Sequence, residues 1–192
     1  MLSVFCAPSR YVQGRDATAV LAKALSRQGH RGQVLIIASH SARQQLASVW
    51  QDSFDAEGIA FQVLDFGGEC TFAEIQRGID TARRLGAETI VGAGGGKVLD
   101  TARAVAAELD QPVACCPTTA ASDAPCSALS VVYTAAGTFE DYLFYKKNPD
   151  LVLVDTQVIV RAPVRYLISG MGDALATRFE AETARLACRP NQ

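Results

Sequence analysis

Apolar positions along the chain follow two rhythms in turn. Short unbroken apolar runs at residues 34–38, 59–64, 89–92 and 113–116 read as strands buried on both faces, and the stretches between them repeat their apolar residues at helical spacing. Helices are predicted over residues 17–28, closed by Gly29; over 41–56; over 71–85, where Thr71 and Glu74 form a capping box and Gly86 closes the end; and over 97–108. The apolar residues 1–6, before Pro8, read as a first strand. Strand and helix in alternation predict an α/β fold, a doubly wound parallel sheet.

The rhythm then changes. Residues 128–134 and 139–145 are β-rich runs joined by Ala135-Ala136-Gly137-Thr138, which predicts a hairpin over the sheet edge or the site. Residues 151–155 form another buried strand, and 164–188 read as helical apart from Gly170-Met171-Gly172. The pattern divides the chain at about Pro163: an α/β nucleotide-binding domain over residues 1–162, then over 163–192 the truncated start of an all-helical domain. One or two helices are too few to bury their own core. They are expected to expose an apolar face, so that this chain by itself aggregates, dimerises or is partly disordered beyond Gly170.

Chemistry concentrates at Gly92-Ala93-Gly94-Gly95-Gly96-Lys97, between the strand at 89–92 and the helix that follows. Glycines let backbone N–H groups approach a ligand, and the first N–H groups of a helix have no internal partners, so a strand, glycines and a helix start make a cradle for a diphosphate. The spacing rejects two better-known cradles. A Walker A loop needs glycine where Val91 stands and Ser or Thr where Val98 stands, and the Gly-x-Gly-x-x-Gly fingerprint needs glycine at Lys97.

Composition adds exclusions. The chain has 192 residues, 49% of them hydrophobic, with 18 Lys and Arg scattered among 20 Asp and Glu and a formal charge of -2. No basic run offers a nucleic-acid footprint, and neither a membrane segment nor a signal peptide is visible, which points to a cytoplasmic protein. The six cysteines, Cys6, Cys70, Cys115, Cys116, Cys126 and Cys188, lack Cys-x-x-Cys spacing and are expected to be mostly reduced and buried, with Cys115 and Cys116 facing opposite sides of one strand. A hydrolase finds no Gly-x-Ser-x-Gly elbow.

Four segments carry a family resemblance: Gly94-Gly95-Gly96-Lys97 with Leu99-Asp100-Thr101-Ala102; Ser122-Asp123-Ala124-Pro125-Cys126-Ser127-Ala128-Leu129-Ser130-Val131; Asn148-Pro149-Asp150-Leu151 with Val154-Asp155-Thr156; and Gly170-Met171-Gly172-Asp173-Ala174-Leu175-Ala176-Thr177. The chain resembles the glycerol dehydrogenases of the iron- or zinc-dependent polyol and alcohol dehydrogenase family, which share their fold with dehydroquinate synthase. The resemblance covers that family's N-terminal portion. It implies NAD-dependent oxidation of glycerol to dihydroxyacetone, with a divalent metal, usually zinc, polarising the substrate hydroxyl. A dehydroquinate synthase-like lyase is the further alternative on fold, disfavoured by the Ser122 to Val131 segment.

The roles it implies fall on particular residues. Gly94, Gly95, Gly96 and Lys97 would hold the NAD pyrophosphate, and Thr118, Ser127, Leu129, Val131 and Tyr133 would line its nicotinamide and ribose side. Asp123 would bind a substrate hydroxyl, though by type it could equally cap the turn before Pro125. Asp173 would ligate the metal; between Gly172 and Ala174 an aspartate is by itself more often a helix N-cap, and the surrounding resemblance raises the metal reading above that.

Three departures accompany the resemblance. The family's two histidine metal ligands have no counterpart, since His30 and His40 lie in the nucleotide domain and read as surface loop residues. The metal site is therefore incomplete, and the chain is expected to be inactive alone, to assemble as a homo-oligomer or to pair with a chain supplying the helical half. The alternative is a non-catalytic nucleotide-binding or assembly module. Ser39 replaces the family's ribose-binding aspartate, with Arg43 one turn on, which makes NADP possible. Arg103 stands where lysine is commoner and is expected at a helix surface.

Overall fold

The computed structural model describes residues 5–187. Six parallel strands form one sheet in the order β1-β8-β5-β4-β2-β3: β1 (Tyr11–Gly14), β2 (Val34–Ala38), β3 (Phe61–Asp65), β4 (Thr89–Gly94), β5 (Val113–Pro117) and β8 (Leu151–Asp155). An antiparallel hairpin, β6 (Leu129–Tyr133) and β7 (Phe139–Phe144), stands apart from it. The helices are α1 (Leu21–Arg27), α2 (His40–Glu57), α3 (Phe72–Leu85), α4 (Gly96–Glu108), α5 (Thr156–Arg161) and α6 (Val164–Leu186).

Alternation along each central strand divides the core in two. Val34, Ile36, Val91, Ala93 and Cys116 face α1 and α2, where Trp50 and Phe54 are fully buried; Leu35, Ile37, Ile90 and Cys115 face α3 and α4. Doubly wound architecture follows, and the two neighbouring cysteines do take opposite faces. Cys70 is also buried, whereas Cys6 is exposed, and Cys188 lies outside the described residues.

The structure corrects several boundaries. The first strand is Tyr11–Gly14, which pairs with β8 from Tyr11↔Val152 to Gly14↔Asp155; Phe5 and Cys6 are not in a strand, and the rest of the expected strand, residues 1–4, lies outside the described residues. The predicted helix at 17–28 is a 3-10 turn, Ala17–Val20, followed by α1, because the Asp155 carboxylate draws in the N–H groups of Asp16 and Thr18 at 3.0 Å each. The capping box is half made: the Glu74 N–H donates to Thr71 Oγ1 at 3.0 Å, but the Glu74 carboxylate turns to the Gly67 N–H at 2.8 Å and to Arg77. Gly86 closes α3 in the left-handed conformation at φ 63.

Glycine does not interrupt α6. Helical backbone continues through Gly170-Met171-Gly172, since each glycine costs about 1 kcal/mol of propensity, which tertiary contact can offset. At Gly170 that contact is visible: a Cβ there would lie 2.0 Å from the Ala120 carbonyl oxygen. No residue of α6 is buried, and Val164, Leu167, Ile168, Met171, Leu175 and Phe179 are exposed at three- and four-residue spacing on one face. The expected apolar face is present.

Asp155 joins three elements, since it also caps α5 by accepting the Gln157 N–H at 3.0 Å. Burial pushes its carboxyl up, but the N–H groups of Thr18, Gln157 and Val158 outweigh burial and hold it below the ordinary aspartate value. Asp155→Ala is expected to lower unfolding free energy by about 3 kcal/mol at neutral pH. A depressed folded-state pKa stabilises above the unfolded value of about 4 and is lost as pH falls through the folded one, so the gap between wild type and variant should close towards pH 2. Urea unfolding across that range measures it; a gap constant with pH would contradict the ionised role.

Candidate functional site

At the carboxyl end of the sheet, β4 delivers its last residue, Gly94, to the α4 N-cap Gly95, with Gly96 and Lys97 opening the helix. Gly94 has a packing reason to be glycine: a Cβ would come within 2.6 Å of Val98 Cγ2. Gly95 and Gly96 have none. Added Cβ atoms would meet Thr119 Oγ1 at 3.9 Å and Ala124 Cβ at 3.6 Å, and Gly95 has φ -80 and ψ -178, open to any residue. No side chain caps α4, so the first N–H groups of the helix, which lack intrahelical partners, are left without a side-chain acceptor.

The helix start borders a cleft of about 480 Å³, lined by Gly95, Gly96 and Thr118 on one side and by Ser39, Gln45 and Arg165 on others. Thr118, just past β5, donates its N–H to the Gly94 carbonyl at 3.0 Å, which fixes the floor. Ser39 follows β2, the sheet neighbour of β4; its N–H donates to the Ala93 carbonyl at 3.0 Å and its Oγ caps α2 by accepting the Ala42 N–H at 3.2 Å. The cleft lining includes Arg161 and Arg165 but no acidic side chain. Arg43 turns away to an ion pair with Asp65 at the end of β3.

Lys97 is outside the cleft lining and is held by Glu69, whose Oε2 accepts from its Nζ at 2.5 Å, and its ammonium stands 5.1 Å from the Tyr133 ring centroid. The cradle and hairpin thus meet. Leu129, Val131 and Tyr133 alternate along β6 on one half-buried face, while Ser130 and Val132 are fully buried on the other. Ser127 donates its Oγ to the carbonyls of Asp123 at 3.3 Å and Ala124 at 3.4 Å.

Asp123 lies on the loop between β5 and β6 and lines two hollows, one of about 420 Å³ with Tyr11, Gln13 and Val154, one of about 650 Å³ with Cys126, Ser127 and Leu129. Backbone makes the turn before Pro125, the Cys126 N–H donating to the Asp123 carbonyl at 3.0 Å. Asp173 comes to the same place, its Oδ2 accepting the Asp123 N–H at 3.1 Å. It sits inside α6, so the N-cap reading is overturned. The two carboxylates, fifty residues apart, share one locality.

A metal does not fit these residues as they stand. Among the described residues no three His, Cys, Asp or Glu side chains converge. His30 lies in the loop after α1; His40 is the exposed first residue of α2 rather than a loop residue, and its Nε2 bonds Gln44 at 2.9 Å.

Arg103 is the largest correction. It is 2% exposed, not at a helix surface, with Nη1 donating to Asp100 Oδ1 at 3.0 Å and to the Leu129 carbonyl, and Nη2 to the Ala124 carbonyl. Burial pushes the Asp100 carboxyl up to about 6, against the pull of Arg103 and the Val131 N–H. Sequence gave no sign of this, since Asp and Arg three apart on a helix read as a solvated pair. Glu69, Arg161 and Arg165 carry no sequence signal either, as isolated charges in a loop or a helix end form no pattern.

The fold and the open glycine cradle define an α/β protein of the nucleotide-binding kind. The chain belongs to the iron-containing alcohol dehydrogenase family, which it matches over residues 8–156. It is 47% identical to the glycerol dehydrogenase of Thermotoga maritima over 191 residues, all of this chain and 51% of that protein. It is 43% identical to the glycolaldehyde reductase of Halobacterium salinarum over 182 residues, 95% of this chain and 49% of that one. A crystal structure of a probable glycerol dehydrogenase from Sinorhizobium meliloti superposes with a TM-score of 0.85 at 35% identity, covering 93% of this chain and 48% of that one. The chain spans about half the length of these relatives. Among the described residues no helix is long and apolar enough to cross a membrane.

Proposed function

We propose that this chain is the nucleotide-binding portion of an NAD-dependent polyol dehydrogenase that oxidises glycerol to dihydroxyacetone. One observation carries the reading: Gly95 and Gly96 lack side chains where neither packing nor backbone conformation requires it, at the start of an uncapped helix. A ligand that needs that space accounts for them, and a diphosphate suits the free N–H groups. Lys97, Thr118, Ser127, Leu129, Val131 and Tyr133 then bound the cofactor, whose nicotinamide ring supplies the hydride acceptor when bound. Asp123 accepts a hydrogen bond from a substrate hydroxyl and so orients the alcohol.

In this proposal residues 1–162 form the nucleotide domain and 163–192 begin the helical one. Asp173 is this chain's single contribution to a divalent-metal site, zinc by resemblance, whose other ligands come from a helical half, in a cytoplasmic homo-oligomer or a pairing with a second chain. The cofactor is NAD; Ser39 and the acid-free cleft leave room for the extra phosphate of NADP.

Calorimetry with NADH, NADPH and ADP tests the cleft, and glycerol-dependent NAD reduction with added zinc tests the chemistry. Expected are NADH binding tighter than NADPH, no turnover by this chain alone, and turnover once a histidine-bearing helical half from a relative is supplied. Folded protein that binds no nucleotide would overturn the reading. Binding without turnover under every metal and complementation condition would instead favour a non-catalytic nucleotide-binding or assembly module.

A further inference from the structure

We propose that Arg103 is a positioning residue that fixes the Asp123 loop and the hairpin to the helix bearing the phosphate cradle; this rests on the proposed function of the cleft. The guanidinium reaches three oxygens from three stretches of chain: the Asp100 carboxylate one turn away on α4, the Ala124 carbonyl beside Asp123, and the Leu129 carbonyl at the start of β6. Asp100 completes the joint. Its Oδ2 accepts the Val131 N–H at 3.4 Å and its carbonyl accepts the Ser130 Oγ at 2.8 Å. Helix α4 therefore carries the cradle at its first residues and, two turns along, holds both the loop and the strand assigned to the reacting end of the site.

Other ties to these segments are single hydrogen bonds near their ends, from Asn148 Nδ2 to the Cys126 carbonyl at 2.8 Å and from the Tyr133 N–H to the Cys70 carbonyl at 2.8 Å. The hairpin is a separate two-stranded sheet, and such pairs are marginal by themselves. The planar fork can engage three acceptors in fixed directions, whereas a lysine ammonium is a point charge on a flexible stem. Arg103 is also buried where water cannot replace it, so its loss would leave the Asp100 carboxylate and two carbonyls without their partner.

The cradle itself does not depend on Arg103, since Gly95 and Gly96 are set by β4 and by the turn into α4. This separates two halves of a dinucleotide. ADP needs the cradle alone; NADH needs the cradle and an ordered loop and hairpin.

Arg103→Met and Arg103→Lys test the proposal in the 192-residue chain. ADP affinity should stay within about twofold, while NADH should weaken about tenfold in Arg103→Met, the cost of ordering a loosened loop on binding, with Arg103→Lys recovering part of it. Amide exchange at residues 122–131, measured without ligand, should quicken in the order wild type, Arg103→Lys, Arg103→Met. Equal losses for ADP and NADH, or exchange unchanged in both variants, would overturn the clamp. If wild type binds neither nucleotide, the reading of the cleft fails and the exchange order still decides the clamp. If Arg103→Met does not fold, Arg103→Lys decides by both measurements.

Discussion

Gly95→Val should leave the fold intact and abolish useful nucleotide binding. The substituted position is open, with Thr119 Oγ1 the nearest atom at 3.9 Å from a new Cβ, and its φ and ψ suit a β-branched residue. Thermal stability is therefore expected to change by less than about 1 kcal/mol equivalent. The isopropyl group would fill the space above the α4 N–H groups, where the proposed function puts the phosphates, so affinity for ADP and for NADH should both fall by roughly a hundredfold or more. Calorimetry beside a melting curve measures the two effects together. Gly94→Val supplies the contrast: there the side chain would strike Val98, and stability should fall as well. Unchanged affinity in folded Gly95→Val would mean that the open space serves no phosphate.

The second large effect is expected on α6. Leu167, Ile168, Met171, Leu175 and Phe179 are each more than half exposed on one helix face. Isolated exposed apolar residues are ordinary, but a continuous stripe this long is the kind of surface through which chains associate. Purified alone, the chain should associate and elute above its 20.4 kDa mass. Leu175→Glu with Phe179→Glu should weaken that association by roughly a thousandfold, taking about 2 kcal/mol for each large apolar side chain removed from the contact. Both positions are remote from the sheet, so the melting curve of the α/β core should hold. Sedimentation that finds wild type a stable monomer would remove the stripe from consideration as an interface.

Much of the framework was legible because it is written in local pattern. The unbroken apolar runs of β2, β4 and β5 are buried on both faces, and nothing but a central parallel strand explains them. Thr71 and Gly86 marked the ends of α3 because caps act through neighbouring backbone. The illegible parts depend on distant partners. The first strand is a short edge of four residues whose place is set by β8, its partners 141 positions along the chain. Gly170 reads as a helix breaker until the Ala120 carbonyl appears beside it. Arg103 looks like a surface charge until a hairpin closes over it. In the site, the glycine cradle could be read from spacing, whereas the meeting of Asp123 with Asp173 could be anticipated only through family resemblance.

The backbone contact at Gly170 makes the long final helix a lever. Main chain rests on main chain there, with no side chain between to yield, so the approach angle is fixed by atoms that cannot repack. Leu186 lies about 24 Å further along at the helical rise of 1.5 Å per residue, so even one methyl wedged at the fulcrum would swing the far end several times as far as it moves Asp173, three residues away. Any polypeptide seated on that arm would inherit a bearing set in part by one alpha carbon, whose hydrogen atom acts as a tolerance setting.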